Sequence, residues 1–228
     1  MHDHICSFVT NCLSAIKNRV MKYDIVYSHY WDAGWAGQKI AEELGIPHVH
    51  TPHSIGWWKQ KNMGGDMSEK EMEKKYRFKE RIRKEYLVYQ MCNHVIATTQ
   101  PQTEMLQNHY DVLKKRILVI PPGMDENRFY PVPSDELKTI RQRFKMKEKD
   151  VIVLGRMAKN KGYDLLIKAL PTLFKLVPDA RCVAAIGSEN SEQDDKGITE
   201  LKNLAKELKV YDKIKWGQYI PDKDLADF

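Results

Sequence analysis

Two cations flank a short loop in the stretch VIVLGRMAKNKGYDLL. Arg156 follows an apolar run and Gly155, and Lys161 precedes Gly162 and an amphipathic run. In a strand–loop–helix unit this spacing places both cations beside the positive N-terminal end of the helix, where phosphate groups bind. The loop matches neither the Walker pattern nor the dinucleotide-binding glycine pattern. Two interpretations follow from the residues alone: a diphosphate site, or two solvated surface cations.

Three histidines lie close together in the segment HVHTPHSIGWWK. His48 and His50 are two residues apart in a predicted strand, so they point to one face, as in metal-dependent hydrolases. Such a site needs further ligands from later strand ends, and none of those ends offers a histidine. The main alternative places His53 in the following loop as a donor to a ligand oxygen, with Lys59 binding a phosphate. A packed, hydrogen-bonded loop histidine is the third interpretation.

Glycines and tryptophans gather in the same half of the chain. Gly34 and Gly37, in the segment SHYWDAGWAG, permit a close approach of the backbone. Four tryptophans lie in the predicted strand-end loops of this half: Trp31, Trp35, Trp57 and Trp58. Aromatic platforms suit the faces of sugars, although core packing explains single tryptophans equally well.

The elements that position these residues are read from the apolar pattern. Runs of four to six apolar residues alternate with amphipathic segments, which is typical of parallel strands joined by crossover helices. We predict strands over 24–30, 48–51, 94–99, 117–123, 150–156, 181–187 and 213–217. We predict helices near 4–20, 35–44, 68–92, 101–109, 134–145, 162–176 and 198–209, with another starting at 222. The fold class is therefore α/β with open parallel sheets, which bind ligands at the carboxyl ends of their strands.

Local signals refine three of the helices. Thr99 with Pro101 marks the start of one helix, and Ser134 is expected to cap another. Pro171 is expected to kink or divide the helix in which it lies.

A connector separates two series of strands and helices. The segment PPGMDENRFYPVPSDE is rich in proline, glycine, asparagine and aspartate, and predicts a boundary near 121–135. We therefore predict one domain over 1–130 and a second over 131–228. The chain opens with a helix rather than with the first strand of a sheet, and the second piece falls short of the about 100 or more residues that a doubly wound domain needs. We therefore expect both domains to be incomplete and the chain to be a fragment.

Composition excludes several classes of protein. The net charge of +6 comes from cations that are interspersed with acids, which argues against nucleic-acid binding. No window is apolar enough for a membrane span, and the first twenty residues do not resemble a signal peptide. We expect a cytoplasmic protein with small-molecule ligands.

Three of these stretches together resemble a known family. The segments HTPHSIG (50–56), VIPPGMDENRFYP (119–131) and LGRMAKNKGYDLLIKALPTL (154–173) resemble the retaining family 4 glycosyltransferases of the GT-B class. The segments HYWDAGWAGQ, TPHSIGWWK and FKERI are most similar to the subgroup of sucrose-phosphate and mannosylfructose-phosphate synthases. The resemblance covers nearly the whole chain.

The resemblance implies two Rossmann-like domains facing across a cleft, the first holding the acceptor and the second a nucleotide-sugar. It implies that Gly155, Arg156 and Lys161 bind the donor diphosphate and stabilise the leaving group without a metal ion or other cofactor. It implies that His53 contacts the transferred hexose. Configuration would be retained by attack on the same face, with the leaving phosphate acting as the base.

For the acceptor, the resemblance implies that Tyr30, Ser54, Lys59 and Arg81 hold a sugar phosphate, with Lys79 assisting. Lys59 and Arg81 would form a two-cation clamp on the phosphate. A salt-bridged helix surface is the other interpretation of the segment FKERIRKEY that contains Arg81.

The implied reaction moves a hexosyl group from GDP-mannose or UDP-glucose to fructose 6-phosphate or a similar sugar phosphate. Another acceptor within family 4 is the nearest alternative, and a metal-dependent hydrolase is the alternative from another class. The resemblance implies a glycine-rich acceptor loop that would precede this chain and an E-x7-E element, flanking the donor sugar and ribose, that would lie beyond Phe228. We therefore expect the chain to be inactive alone.

Overall fold

The computed structural model describes residues 4–63, 67–188, 192–217 and 219–228. The chain divides into two compact units, Met1–Gly123 and Met124–Phe228. This division lies inside the connector, while the limits of the two domains at residue 130 stay a prediction.

The first unit is built on a four-stranded parallel sheet with the order β1-β2-β3-β4. Its strands are β1 (Val26–His29), β2 (His48–Thr51), β3 (His94–Ala97) and β4 (Ile117–Val119). Its helices are α1 (Ile5–Asn18), α2 (Trp31–Leu44), α3 (Gly56–Met63), α4 (Glu69–Tyr76), α5 (Phe78–Met91) and α6 (Gln100–Tyr110). Val26 pairs with His48, and Val95 pairs with Ile117, so the carboxyl ends of the strands lie along one edge.

The second unit has a three-stranded parallel sheet with the order β5-β6-β7. Its strands are β5 (Asp150–Gly155), β6 (Arg181–Ile186) and β7 (Ile214–Gly217), and its helices are α7 (Ser134–Phe144), α8 (Tyr163–Leu176) and α9 (Glu192–Glu207). All seven predicted strands are confirmed, because short apolar runs between amphipathic helices leave parallel pairing as the way to satisfy their backbones.

Each unit has its own hydrophobic core. In the first unit, residues of α5, α6 and β3 are almost fully buried, among them Val88, Val95 and Leu106. In the second, α8 contributes Leu170 and Phe174 to a core shared with β6 and α9. The apolar stripe of each helix therefore packs against the sheet residues. This is the arrangement expected from apolar residues with a period of 3.6 in helices and 2 in strands.

Helix α8 decides one of the two expectations for Pro171. The helix runs from Tyr163 to Leu176 as a single element with Pro171 inside it, so a division at the proline is wrong, while the kink stays a prediction. Residues on both sides of the proline, including Ile167 and Phe174, are buried in one core. That packing keeps both halves in one helix and offsets the loss of one backbone hydrogen bond.

Other helix limits also differ from the prediction. The predicted helix over 68–92 is two helices, because Arg77 adopts a left-handed conformation with φ of 52° between α4 and α5. Ser134 is the first helical residue rather than the cap, which is Pro133. The expected helix from 222 is a short 3-10 helix, Asp222–Asp224.

Three further helices differ from the prediction, and one start is confirmed. Helix α3 was not predicted, α2 begins at Trp31, four residues before the predicted start, and α9 begins at Glu192, six residues before it. The start of α6 is confirmed: Thr99 accepts a hydrogen bond from the backbone N–H of Gln102, with Pro101 in the first turn.

No helix in the described part of the chain combines the length and the apolar character needed to cross a bilayer.

Candidate functional site

Four of the predicted acceptor residues converge on one point in the first unit. Lys59 Nζ and Arg81 Nη1 both donate to the hydroxyl oxygen of Tyr30, at 3.1 and 3.2 Å. Arg81 Nη2 donates to the carbonyl oxygen and the hydroxyl of Ser54, at 2.9 and 3.1 Å. We call Tyr30, Ser54, Lys59 and Arg81 the cation cluster.

The carboxyl ends of β1 and β2 bring these residues together. Tyr30 directly follows β1, with φ of 72°, and its backbone N–H donates to Thr51 O at 2.9 Å, which ties it to the end of β2. Ser54 lies in the loop after β2, Lys59 on α3 and Arg81 on α5. The site is therefore built from one sheet edge and from α3 and α5, two of the three helices between β2 and β3.

The electrostatics of the cation cluster favour an anion. Partial burial of Tyr30 opposes ionisation of its phenol, but the hydrogen bond from Lys59 and the charge of Arg81 outweigh it and lower the pKa of Tyr30. Two cations thus focus positive charge on one phenolic oxygen. Lysine and arginine side chains arranged in this way bind carboxylate or phosphate oxygens.

The surface interpretation of the segment FKERIRKEY is wrong for its central residues. Arg81, Lys84 and Glu85 retain only 5%, 8% and 0% of their exposure, whereas Lys79 is exposed. Helix α5 packs beneath α2 and α3, so charges spaced at i and i+4 face inward rather than toward water.

Glu85 is a site residue that sequence reasoning missed. Its carboxylate accepts from Arg81 Nε at 2.7 Å, from Tyr110 Oη at 2.6 Å and from the backbone N–H of Gly56 at 2.8 Å. The i, i+4 spacing of Arg81 and Glu85 was visible in the sequence, but their burial was not.

Lys79 is not brought into the cation cluster. It lies two residues before Arg81 on α5, which directs the two side chains toward nearly opposite sides of the helix. It is exposed and lines a surface depression with residues of α4, among them Glu73 and Lys74. The predicted assisting role of Lys79 is therefore not supported by its position.

His53 lies at the edge of the same strand ends, in a left-handed conformation with φ of 56°. Its Nε2 is 2.8 Å from Nδ1 of His29, and the two rings stack with centroids 5.1 Å apart. Partial burial and the neighbouring imidazole lower the pKa of His53, so the ring is neutral at physiological pH. A neutral imidazole that is exposed here can exchange hydrogen bonds with sugar hydroxyls.

His48 and His50 belong to a buried network rather than to a metal site. Gln38 Oε1 lies 2.8 Å from His48 Nδ1, so His48 donates from that nitrogen, and its Nε2 then accepts from Ser28 Oγ at 2.6 Å. The Ser28 oxygen in turn accepts from His50 Nδ1 at 2.8 Å. Burial lowers the pKa of His48 to about 4 and that of His50 to about 3, so both rings are neutral.

The described residues contain no group of three or more His, Cys, Asp and Glu side chains placed to hold a metal ion. His48 and His50 point into the protein while His53 lies on the loop beyond β2, so the three rings do not converge. The hydrolase alternative is not supported.

The glycines after β1 serve packing. A Cβ atom at Gly34 would lie 2.5 Å from Cε1 of His50, and one at Gly37 would lie 3.1 Å from Nε2 of His48. These glycines let α2 approach the buried histidines, and no ligand is required to explain them.

A cleft of about 270 Å³ adjoins the cation cluster. It is bounded by the loop after β2, with His53 and Ser54, and by the start of α6, with Thr99 and Gln102. Trp58 also lines it and is 46% exposed, which suits a platform for a sugar face, whereas Trp31 is 6% exposed and packs in a core.

The predicted diphosphate loop of the second unit leaves β5 and enters α8 through a 3-10 turn, Lys159–Lys161. Arg156 and Lys161 are exposed, and neither side chain forms an ion pair or hydrogen bond with another described residue. Gly155 has φ of 153°, and a Cβ atom there would lie 2.7 Å from Oη of Tyr163, which itself donates to the Arg156 carbonyl at 3.0 Å. Gly155 thus packs closely against Tyr163 while its donor-binding role stays a prediction, and the two cations remain available to an anion.

Comparison with known proteins agrees with this architecture. The model of Glycosyltransferase Family 4 matches residues 3–128, and that of Glycosyl transferases group 1 matches residues 135–228. The sucrose-phosphate synthase structure from Thermosynechococcus elongatus superposes with a TM-score of 0.75 at 22% identity, over 99% of this chain and 52% of that one. The prediction of two incomplete Rossmann-like units of the GT-B class is confirmed.

Curated relatives show the same match. The mannosylfructose-phosphate synthase of Agrobacterium fabrum (strain C58 / ATCC 33970) is 45% identical over 100% of this chain and 51% of its own length. A D-inositol 3-phosphate glycosyltransferase of Thermobifida fusca (strain YX) is 29% identical over 99% of this chain and 51% of its own length. The chain thus spans about half the length of the curated relatives it matches. With a family model matching more than half of its residues, the chain belongs to the family 4 glycosyltransferases.

Proposed function

We propose that the chain carries the acceptor site and part of the donor site of a retaining hexosyltransferase. The donor is a nucleotide-sugar, GDP-mannose or UDP-glucose, and the acceptor is fructose 6-phosphate or a similar sugar phosphate. No metal cofactor takes part, and nucleic acid is not a partner.

The observation that carries this proposal is the convergence of Lys59 and Arg81 on Tyr30 Oη beside Ser54. A phosphate placed there receives charge-assisted hydrogen bonds from both cations and further bonds from two hydroxyls. The adjoining cleft, with Trp58 and His53 on its walls, offers an apolar face and a hydrogen-bonding ring to a sugar.

The names of the curated relatives support a phosphorylated acceptor. A mannosylfructose-phosphate synthase makes a phosphorylated product, and a D-inositol 3-phosphate glycosyltransferase glycosylates a phosphorylated cyclitol. The two similarities extend over 100% and 99% of this chain. The higher identity to the first favours a mannosyl donor and a fructose phosphate acceptor.

On the donor side, Arg156 and Lys161 are the proposed diphosphate ligands. They are exposed at the carboxyl end of β5, beside the N-terminus of the 14-residue helix α8, where the helix dipole favours an anion. As the bond between the anomeric carbon and the phosphate oxygen breaks, negative charge grows on the diphosphate. Fixed cations at that place stabilise the transition state more than the ground state.

The proposed reaction balances without an enzymic nucleophile. The anomeric C–O bond to the nucleoside diphosphate breaks, and a new C–O bond to an acceptor hydroxyl forms on the same face. The hydroxyl proton passes to the leaving phosphate oxygen. The chain's residues bind, orient and stabilise charge, with His53 contacting the transferred hexose.

Release of nucleoside diphosphate by a full-length enzyme that carries this chain tests the proposal. GDP-mannose and UDP-glucose are each offered with fructose 6-phosphate, fructose or D-inositol 3-phosphate, with and without EDTA. We expect release that depends on fructose 6-phosphate, is lost with fructose and is unaffected by EDTA. Release with D-inositol 3-phosphate alone would reassign the acceptor, and no release with any pair would refute the proposal.

A further inference from the structure

Glu85 is a fully buried carboxylate for which the proposed reaction has no chemical step. It lies on α5, one turn after Arg81, and has 0% exposure. An ionised side chain in such a place is costly unless every oxygen is hydrogen-bonded. Its partners therefore indicate what it does.

The partners of Glu85 come from three different helices. Oε1 accepts from Arg81 Nε on α5 at 2.7 Å and from the first N–H of α3, that of Gly56, at 3.1 Å. Oε2 accepts from the same N–H at 2.8 Å and from Tyr110 Oη at the end of α6, at 2.6 Å. Tyr110 Oη also accepts from the N–H of Trp57 at 3.1 Å, so the start of α3 is anchored twice.

These bonds decide which face Arg81 offers to a ligand. The guanidinium is planar, so fixing its Nε edge on Glu85 directs both Nη groups toward Ser54 and Tyr30. A Cβ atom at Gly56 would lie 2.7 Å from the Glu85 carboxylate and 3.1 Å from Arg81 Nε, so the arrangement has no spare space.

The same anchor sets the position of Lys59. Lys59 lies in the first turn of α3, where its N–H donates to Ile55 O at 3.0 Å. The hydrogen bonds that fix the first N–H groups of α3 therefore also fix the position of the helix that brings Lys59 Nζ to Tyr30 Oη.

We propose that Glu85 is the positioning residue of the acceptor-phosphate site, through which Arg81 and the start of α3 are locked in the geometry that binds a phosphorylated sugar. This inference rests on the proposed function, because it takes the cation cluster to be the phosphate site. Tyr110 supports Glu85 through its hydroxyl.

The substitution Glu85→Gln has opposite effects on phosphate binding, depending on whether the site works by the positioning of its cations or by net charge alone. Glu85→Gln removes a negative charge next to Arg81, so a site that worked by net charge alone would bind phosphate more tightly. A glutamine has one acceptor oxygen and an NH2 group that must face an N–H or O–H donor, so it cannot hold Arg81, Gly56 and Tyr110 together. A site that works by positioning therefore binds phosphate more weakly.

The test compares Glu85→Gln, Tyr110→Phe and the wild type in the full-length enzyme, with KM and kcat measured for fructose 6-phosphate and melting followed by circular dichroism. Glu80→Gln is the matched control, since Glu80 lies on the same helix, is partly exposed and pairs with Lys84. We expect Glu85→Gln to raise KM roughly tenfold or more with a smaller fall in kcat. Tyr110→Phe, which keeps both charges, should raise KM about threefold, and Glu80→Gln should leave it unchanged.

A folded Glu85→Gln enzyme with an unchanged or lower KM would overturn the inference. If that variant does not fold, Tyr110→Phe decides: a raised KM supports the inference and an unchanged KM overturns it. A wild type that turns over only unphosphorylated acceptors would instead refute the proposed function, and the phosphate site with it.

Discussion

At the scale of single residues, Tyr30 Oη is the point around which the proposed acceptor site is organised. This oxygen accepts hydrogen bonds from Lys59 and Arg81. Burial opposes ionisation of the phenol, but the two cations outweigh burial and lower the pKa of Tyr30. The two cations differ in mobility. Arg81 is buried and held by Glu85, whereas Lys59 is half-buried and reaches the oxygen on a flexible stem.

Lys59→Ala tests the acceptor side of the site. We expect a rise of about tenfold in KM for the phosphorylated acceptor with little change in kcat, because the lysine binds phosphate in both the ground and transition states. Lys61→Ala is the control, since Lys61 lies on the same helix and stacks over Trp57. Initial rates of nucleoside diphosphate release measure both constants, and a fall in kcat at constant KM would contradict the assignment.

Lys161→Ala tests the donor side. We expect a fall of roughly 100-fold or more in kcat with a smaller change in KM for the acceptor, because charge on the leaving diphosphate grows in the transition state. Lys168→Ala, on the exposed side of α8 where Lys168 pairs with Asp164 at 3.0 Å, is the control. The same release assay applies. If instead only the KM for the acceptor rises, the two phosphate sites have been exchanged.

At the scale of elements, the close approach of α2 to the sheet determines which of His48, His50 and His53 are buried. The backbone of α2 at Gly34 and Gly37 lies against His50 and His48, so these rings are sealed and neutral. His53 is not enclosed by this packing, because it lies two residues beyond Thr51, the last residue of β2. The difference between a buried pair and an exposed ring thus arises from where one strand ends.

Gly34→Ala tests that packing. The added Cβ atom would lie 2.5 Å from the His50 ring, so α2 or the ring must shift, and we expect a loss of about 1–3 kcal/mol in the free energy of unfolding. Gly123→Ala is the control, since no atom lies within 4 Å of its Cβ position. Urea denaturation of both variants measures the loss. Equal stability of the two variants would mean that α2 is not held closely against β2.

At the scale of the whole molecule, the two units differ in their titratable groups. All eight histidines lie in the first 123 residues, and none lies in 124–228. His48 and His50 are buried with lowered pKa values, while no described residue in the buried core of the second unit titrates near neutrality. The units should therefore respond differently to mild acid.

The first unit is expected to lose stability as the pH falls from 6.5 toward 5, and the second is not. The folded pKa values are about 4 for His48 and about 3 for His50, so below pH 6.5 each histidine binds fewer protons in the folded than in the unfolded chain. Its contribution to the free energy of unfolding is therefore fully present above pH 6.5 and is lost as the pH falls below it. The slope approaches about 1.4 kcal/mol per pH unit for each histidine. Hydrogen exchange at pH 7 and pH 5, corrected for intrinsic rates, resolves the two units. Equal loss in both would contradict the assignment to the buried pair.

The sequence by itself determined the seven strands, the parallel α/β class and the family, because apolar periodicity and contiguous motifs are local properties of a chain. The strand-end rule also singled out His53, Lys59 and the loop with Arg156 and Lys161 as ligand-site candidates. Tyr30, Ser54 and Arg81 were assigned to an acceptor site only through the family resemblance. Only the tertiary structure decided which charges are buried. Arg81 and Lys79 are two residues apart on one helix, yet packing encloses the first and leaves the second in water.

The role of Glu85 likewise depended on tertiary structure. Its partners lie on α3, α5 and α6, at sequence distances of 29, 4 and 25 residues. No local pattern encodes such a meeting, because the cost of burying a carboxylate is offset only by donors that the completed fold brings to it.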